Sequence, residues 1–150
     1  MTDMPSTPRF ALPLLAVAQA QKEVTHNEAL ILLDALVHAV VEAGPLDAPP
    51  PGPAEGQCWI ASAAPTGAWA GQGLAVALWT AGGWRFVAPR EGMQVLRLAD
   101  NVRLRYAGGS WIVPVTIDTP DGGSTIDSEA RTAIATLILQ LAAQGLLIAG

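Results

Sequence analysis

Leu78-Trp79-Thr80-Ala81-Gly82-Gly83-Trp84-Arg85-Phe86-Val87 and Leu104-Arg105-Tyr106-Ala107-Gly108-Gly109-Ser110-Trp111-Ile112-Val113 are two versions of one phrase. In each, an aromatic residue precedes a Gly-Gly pair and a Trp follows it. Glycine supplies backbone conformations that tight turns need, and aromatic and β-branched residues suit strands, so each phrase predicts one antiparallel hairpin. The weak repeat predicts two such hairpins packed into a small twisted sheet or open barrel.

Working outward, residues 56–115 read as β throughout. Strands are expected over 57–61, 74–80, 84–88, 93–98, 101–106 and 110–115. Turn-forming residues separate them at Gly71-Gln72-Gly73, Ala81-Gly82-Gly83, Pro89 to Gly92, Ala99-Asp100-Asn101 and Ala107-Gly108-Gly109. Before this region lies Pro49-Pro50-Pro51-Gly52-Pro53, which reads as an extended connector. Earlier still, Thr25-x-x-Glu28 has capping-box spacing, so a helix is expected to start near Thr25. Leu30, Leu33, Leu36, Val37, Val40 and Val41 recur at helical spacing behind it, and Gly44-Pro45 would end it. His26, Asn27, Asp34 and His38 fall on its polar side. Residues 1–13, with Pro5, Pro8 and Pro13, read as an extended arm whose Phe10 and Leu12 need a surface to cover them.

After the β region, Pro120-Asp121-Gly122-Gly123 marks a second linker. Ser124 or Thr125 would cap a second helix running to about Gln144. Ala130, Ile134, Leu137, Ile138 and Leu141 form its apolar stripe, Gly145 is placed to stop it, and Leu146-Leu147-Ile148 follows. The expected fold is therefore α+β: an N-terminal extended arm and helix, a small antiparallel Trp-rich sheet or open barrel, and a C-terminal helix. Residues 1–115 would form one domain (arm and helix 1–44, linker 45–56, β region 57–115). Residues 116–124 link it to a C-terminal oligomerisation or docking helix over 125–150.

Composition narrows the function. The 150 residues carry a net charge of −5, and the eight Lys and Arg residues are scattered. A basic nucleic-acid face is not expected. Hydrophobic residues make up 51% and charged residues only 14%, which leaves little charge to cover much apolar side chain. Either part of that surface is buried against other subunits, or the high alanine content inflates the count. No stretch approaches the roughly 20 apolar residues of a membrane span, and the N-terminus does not read as a secretory signal. The lone Cys58 builds neither a disulfide nor a cysteine metal site and should pack as a small apolar residue.

No catalytic, metal or cofactor site emerges. His26 and His38 lie twelve residues apart without a His-Glu-x-x-His frame. Ser110 and Ser128 lack a placed histidine and carboxylate. Asp118, Asp121 and Asp127 around Gly122-Gly123 do not match the calcium-loop spacing. The chain is expected not to be an enzyme and to need no cofactor. Trp69, Trp79, Trp84, Tyr106 and Trp111 have two readings. They fill the core of a sheet poor in phenylalanine, or they form an exposed platform that stacks on sugar rings.

Ala18-Gln19-Ala20-Gln21-Lys22-Glu23-Val24-Thr25-His26-Asn27-Glu28-Ala29-Leu30, continuing into Leu33-Asp34-Ala35-Leu36-Val37, carries a resemblance. With Thr7 to Pro13, Gly67 to Gly71, Trp79 to Pro89 and Tyr106 to Val113, it resembles a domain family of formally unknown function. That family occurs in alphaproteobacterial prophage tail fibres and in spike or fibre proteins of gene transfer agents. The resemblance spans about three quarters of the chain, from Thr7 to about Val115. It implies a structural component of a phage or gene transfer agent particle, assembled in the bacterial cytoplasm, that helps attachment to the host cell. Family members often continue into a receptor-binding region. This sequence ends after one helix, which favours the base or connector of a head spike or tail fibre.

The expected partners are copies of the chain, as a trimer or pentamer, and other particle proteins at a capsid vertex, tail or fibre. No membrane insertion is expected. The alternative is a carbohydrate-binding module for host capsular or envelope polysaccharide, using the aromatic platform. Expected interface residues are Phe10, Leu12, Gln19, Gln21, Thr25, His26, Asn27, Glu28, Ile134, Leu137, Leu141, Leu146, Leu147 and Ile148.

Overall fold

A computed structural model describes residues 5–16 and 22–150, and the protein is α+β. Two compact units divide the chain, residues 1–89 and 90–150.

In the first unit, α1 covers Lys22–Leu36 and is followed by two short strands, β1 (Val40–Val41) and β2 (Ala43–Leu46). Then come β3 (Cys58–Ala61), a 3-10 turn at Gly67–Trp69, β4 (Val76–Thr80) and β5 (Gly83–Val87). The sheet order is β2-β3-β4-β5. The β3–β4 and β4–β5 pairs are antiparallel, whereas β2 runs parallel to β3, so this sheet is mixed. Its core is aromatic: Trp59, Ala61, Trp69 and Ala77 are buried, with Leu46, Trp79, Trp84 and Phe86 packed on them.

Helix α1 differs from its expected limits at both ends. It begins at Lys22, which puts Thr25 inside the helix and rules out the capping box at Thr25 and Glu28. It stops at Leu36, so Val40 and Val41 lie in a strand, where β-branched side chains are better accommodated. His38 takes φ 48°, the left-handed conformation that commonly follows a helix end. Gly44 and Pro45 therefore fall within β2.

The second unit contains the antiparallel meander of β6 (Gln94–Arg97), β7 (Val102–Ala107) and β8 (Ser110–Ile112). After it come β9 (Thr116–Ile117), α2 (Ser128–Ala143) and β10 (Ile148–Ala149). β9 and β10 pair in parallel. Among the described residues the sheets are open and no barrel closes. Asp127, not Ser124 or Thr125, caps α2, its Oδ1 accepting from the Ala130 N–H at 2.9 Å.

The end of α2 explains why its last residues are anchored. Gly145 N–H donates to Ala142 O (2.8 Å) and Leu146 N–H to Leu141 O (3.0 Å), the paired bonds of a Schellman stop. Gly145 has φ 68°, and a β-carbon there would lie 2.6 Å from Asn101 O. Its own carbonyl accepts from Arg103 N–H at 2.9 Å. This glycine thus ends the helix and brings the chain against β7, which only a residue without a side chain permits.

Candidate functional site

Two polar residues of α1, Asn27 and Asp34, turn toward the chain's own N-terminal arm. Asn27 and Asp34 are seven residues apart and share one side of the helix, and both grip the N-terminal arm. The Asn27 side chain accepts from Leu15 N–H (2.9 Å) and donates to Leu15 O (3.0 Å). The buried Asp34 carboxylate accepts from Thr7 Oγ1 (2.7 Å), Arg9 N–H (2.9 Å) and Phe10 N–H (2.8 Å). Three donors on one carboxylate replace the water lost by burial. Within the arm the chain turns back on itself: Thr7 N–H donates to Leu12 O at 2.9 Å, and Ser6 bridges Pro13.

Arg9 completes the clasp. Its guanidinium donates to the carbonyls of Asp34 (2.8 Å), Ala35 (2.9 Å) and His38 (3.1 Å). These carbonyls lie at and just beyond the last turn of α1, where helical acceptors have no partner and the helix dipole is negative. Arg9 also sits 5.2 Å from the Phe10 ring centre. Asn27 was among the expected interface residues, and it bonds the arm of its own chain; Asp34, Thr7 and Arg9 were not expected. The seven-residue spacing was the available signal, but the partners lie up to 27 residues away in sequence.

Around this contact some large apolar side chains stay in solvent. Val24 and Leu33 of α1 are about half exposed, as are Val37 just after the helix and Phe10 of the arm. Thr25, His26 and Glu28 are exposed, and Leu12 is half-buried. Glu28 pairs with Arg85 at 3.4 Å beside a cavity of about 190 Å³ lined also by Ile31, Leu32 and Thr80. Gln19 and Gln21 lie outside the described residues. Among the described residues, no three His, Cys, Asp or Glu side chains cluster as a metal site would need. Burial pushes the Cys58 thiol up to about 11, partly offset by Arg9, so it stays protonated and packs as an apolar residue.

The tryptophans split between core and partial exposure. Trp69 is 0% exposed, and Trp111 is also buried, so neither presents a ring face to solvent. Trp84 is the hub of the first unit, edge-on to Trp59, Trp69 and Trp79 with ring centres 5.7, 5.1 and 5.0 Å apart. In the second unit Tyr106 and Trp111 form a separate pair at 5.4 Å. An aromatic platform of the five expected residues therefore lacks two of its members. The buried Trp69 Nε1 has no acceptor among the described residues.

Helix α2 presents the reverse arrangement to a self-contained helix. Its most covered positions are Arg131, Ala135, Ile138 and Ala142, a seam of mostly small side chains around one buried isoleucine. Ile134, Leu137 and Leu141 are 41, 62 and 42% exposed. Of the expected stripe, only Ile138 is covered within the chain. Leu146 is exposed, Ile148 lies half-buried in β10, and Leu147 is buried, which removes it from any outer surface.

These features define an α+β module built on aromatic hairpins, with a helix that clasps an arm and a second helix whose large apolar side chains face outward. The chain belongs to the family described as Protein of unknown function (DUF2793), whose model matches residues 26–112. The match starts at His26, so the arm and the Gln19–Thr25 run lie before it. No curated protein matches the chain.

Proposed function

We propose that this protein is a non-enzymatic structural component of a phage or gene transfer agent particle. It serves as the homo-oligomeric base or connector of a head spike or tail fibre that helps attachment to the host cell. The observation that carries the reading is the row Ile134, Leu137 and Leu141 on α2, large apolar side chains left in solvent at four- and three-residue spacing. That spacing is what helix-to-helix seams use. Covering each half-exposed side chain would contribute on the order of 1 kcal/mol per protomer. The exposed Phe10 of the arm, Leu33 of α1 and Val37 just after that helix offer further apolar surface for another particle protein. The resemblance of the run from Ala18 to Val37 to particle proteins supplies the biological setting.

Deleting the whole C-terminal segment would be a poor test, because it removes Gly145 O from Arg103 N–H and β10 from β9. Point substitutions are cleaner. The purified chain is expected to run as a discrete oligomer in light scattering. Ile134→Ser with Leu137→Ser should reduce its mass while circular dichroism stays unchanged, and particles carrying that variant should lose the appendage and adsorb poorly to cells. Fully decorated, normally adsorbing particles from the variant would defeat the proposal.

A further inference from the structure

We propose that copies of this chain associate head to tail through the second unit, the segment 121–129 of one copy seating in an arginine-flanked cleft of the next. This deepens the reading above, that the protein self-associates. The cleft has a volume of about 250 Å³ and is lined by Gln94, Arg103, Arg105, Ile112, Pro114 and Leu146. Arg103 and Arg105 are two apart on β7 and so project from the same, exposed side of the strand. Arg103 Nε donates to Gln144 O at 3.1 Å. The Arg105 guanidinium has no hydrogen-bond or ion-pair partner among the described residues. The apolar wall is also uncovered, with Ile112 and Leu146 about half exposed.

The complementary surface lies in the same unit. Residues 90–115 hold four arginines and two acidic residues, whereas residues 116–150 hold four acidic residues and one arginine. The unit is thus electrically bipolar along its sequence. In the acidic part, Ile126 is 66% exposed, with Asp121 before it and Asp127 and Glu129 after it. None of these carboxylates has an ion-pair partner among the described residues. The one local cation, Arg131, turns to the carbonyls of Pro120 and Gly122 instead. An exposed isoleucine between carboxylates matches an apolar cleft between arginines in both shape class and charge.

The knob and the cleft are different patches, so the contact between copies is heterologous. Such a contact propagates from copy to copy and closes into a ring when its rotation divides a full turn. A ring is the form that the base of a symmetric appendage requires.

Sedimentation velocity of the full-length chain, at low salt and at 0.5 M salt, tests the contact. Association should weaken with salt. Arg105→Glu and Glu129→Arg should each weaken it at least tenfold, and mixing the two variants should restore it, because the reversed cleft then meets the reversed segment. Ile126→Ser should weaken it without changing its salt dependence. Unaltered association in Arg105→Glu and Glu129→Arg, or no rescue on mixing, overturns the proposal. If Leu137→Ser lowers the mass while Arg105→Glu and Glu129→Arg leave it unchanged, the helix stripe is the contact between copies and the cleft is not. A wild-type chain that stays monomeric also overturns the cleft contact, while the particle-decoration experiment decides the appendage reading separately.

Discussion

The hairpins β4–β5 and β7–β8 share a sequence phrase but not a physical environment. In β4, Val76, Ala77, Leu78 and Thr80 are buried and Trp79 is half-buried, so both faces of the strand are covered. In β7, Val102 and Leu104 are buried while Arg103 and Arg105 stand in solvent, so one face is wet. The same cross-strand aromatic pair is present in each: Trp79 opposite Trp84, and Tyr106 opposite Trp111. In the first it joins two further tryptophans, and in the second the ring pair is Tyr106 with Trp111. A repeated phrase therefore fixes a local hairpin, and the residues between the repeats decide whether that hairpin becomes core or surface.

The most demanding test of this contrast compares equivalent tryptophans. Trp84→Ala removes three edge-on ring contacts and should cost about 3–5 kcal/mol. Trp111→Ala removes the edge-on contact with Tyr106 and lies outside the tryptophan cluster. With each aromatic pair worth roughly 0.5–1.5 kcal/mol, it should cost less than Trp84→Ala. Urea unfolding followed by near-ultraviolet circular dichroism measures both. Equal losses would mean that the four-tryptophan cluster contributes nothing beyond ordinary burial.

Much of this contrast was legible in the sequence. Ala75-Val76-Ala77-Leu78-Trp79 is an unbroken apolar run, which a strand covered on both faces requires. Val102-Arg103-Leu104-Arg105 alternates, which a half-exposed strand requires. The six strands expected between 57 and 115 all form, with their ends at most three residues from the expected ones. The orientation of α1 was not legible. Helical periodicity finds an apolar side and presumes it is buried, but Asp34 and Asn27 have hydrogen-bond partners in an arm far away in sequence, and the helix turns that way. Nor does a tryptophan's identity reveal whether it fills a core, as Trp69 does, or remains half-exposed, as Trp79 does. The two-residue β9 and β10 are too short to carry any periodicity.

The turns sharpen the comparison at a smaller scale. In β7–β8 the loop residues Gly108 and Gly109 have φ 58° and 80°, and a β-carbon at either would touch nothing. Both positions positive is the type I′ pattern, which splices strands with matching twist. In β4–β5 only Gly83, after the loop, has a positive φ (93°), and Thr80 holds the turn by accepting from Gly82 N–H (3.2 Å) and donating to Gly83 O (2.7 Å). Gly109→Ala should therefore cost roughly 1–2 kcal/mol from backbone conformation alone. Gly82→Ala should stay within about 0.5 kcal/mol, since only the flexible end of Arg85 must move. Gly108→Asn should be tolerated, because asparagine adopts the left-handed region more readily than alanine. Thermal unfolding of the three variants orders them, and a Gly82→Ala loss matching that of Gly109→Ala would show that the turns are not distinct.

The smallest expected effect concerns charge. The β4–β5 turn is held by a neutral hydroxyl, whereas the β6–β7 turn is held by an ion pair. There Arg97 Nη2 lies 2.6 Å from Asp100 Oδ2, and Arg97 Nε donates to Asp100 Oδ1 at 2.9 Å. The hydrogen bond from Arg97, aided by its charge, holds the Asp100 carboxyl below the usual carboxylate range. A carboxyl lowered on folding adds stability above its unfolded pKa of about 3.9, and that contribution disappears as the pH falls through the lower folded value. Because Asp100 is largely in solvent, the contribution is less than about 1 kcal/mol. Asp100→Asn should therefore cost little at pH 7 and remove part of the acid-side decline in stability. Thr80→Val, which breaks the neutral turn, should leave the shape of that decline unchanged. Urea midpoints from pH 7 down to pH 3 test both, and an unaltered pH profile in Asp100→Asn would show that the ion pair fixes geometry without contributing to stability.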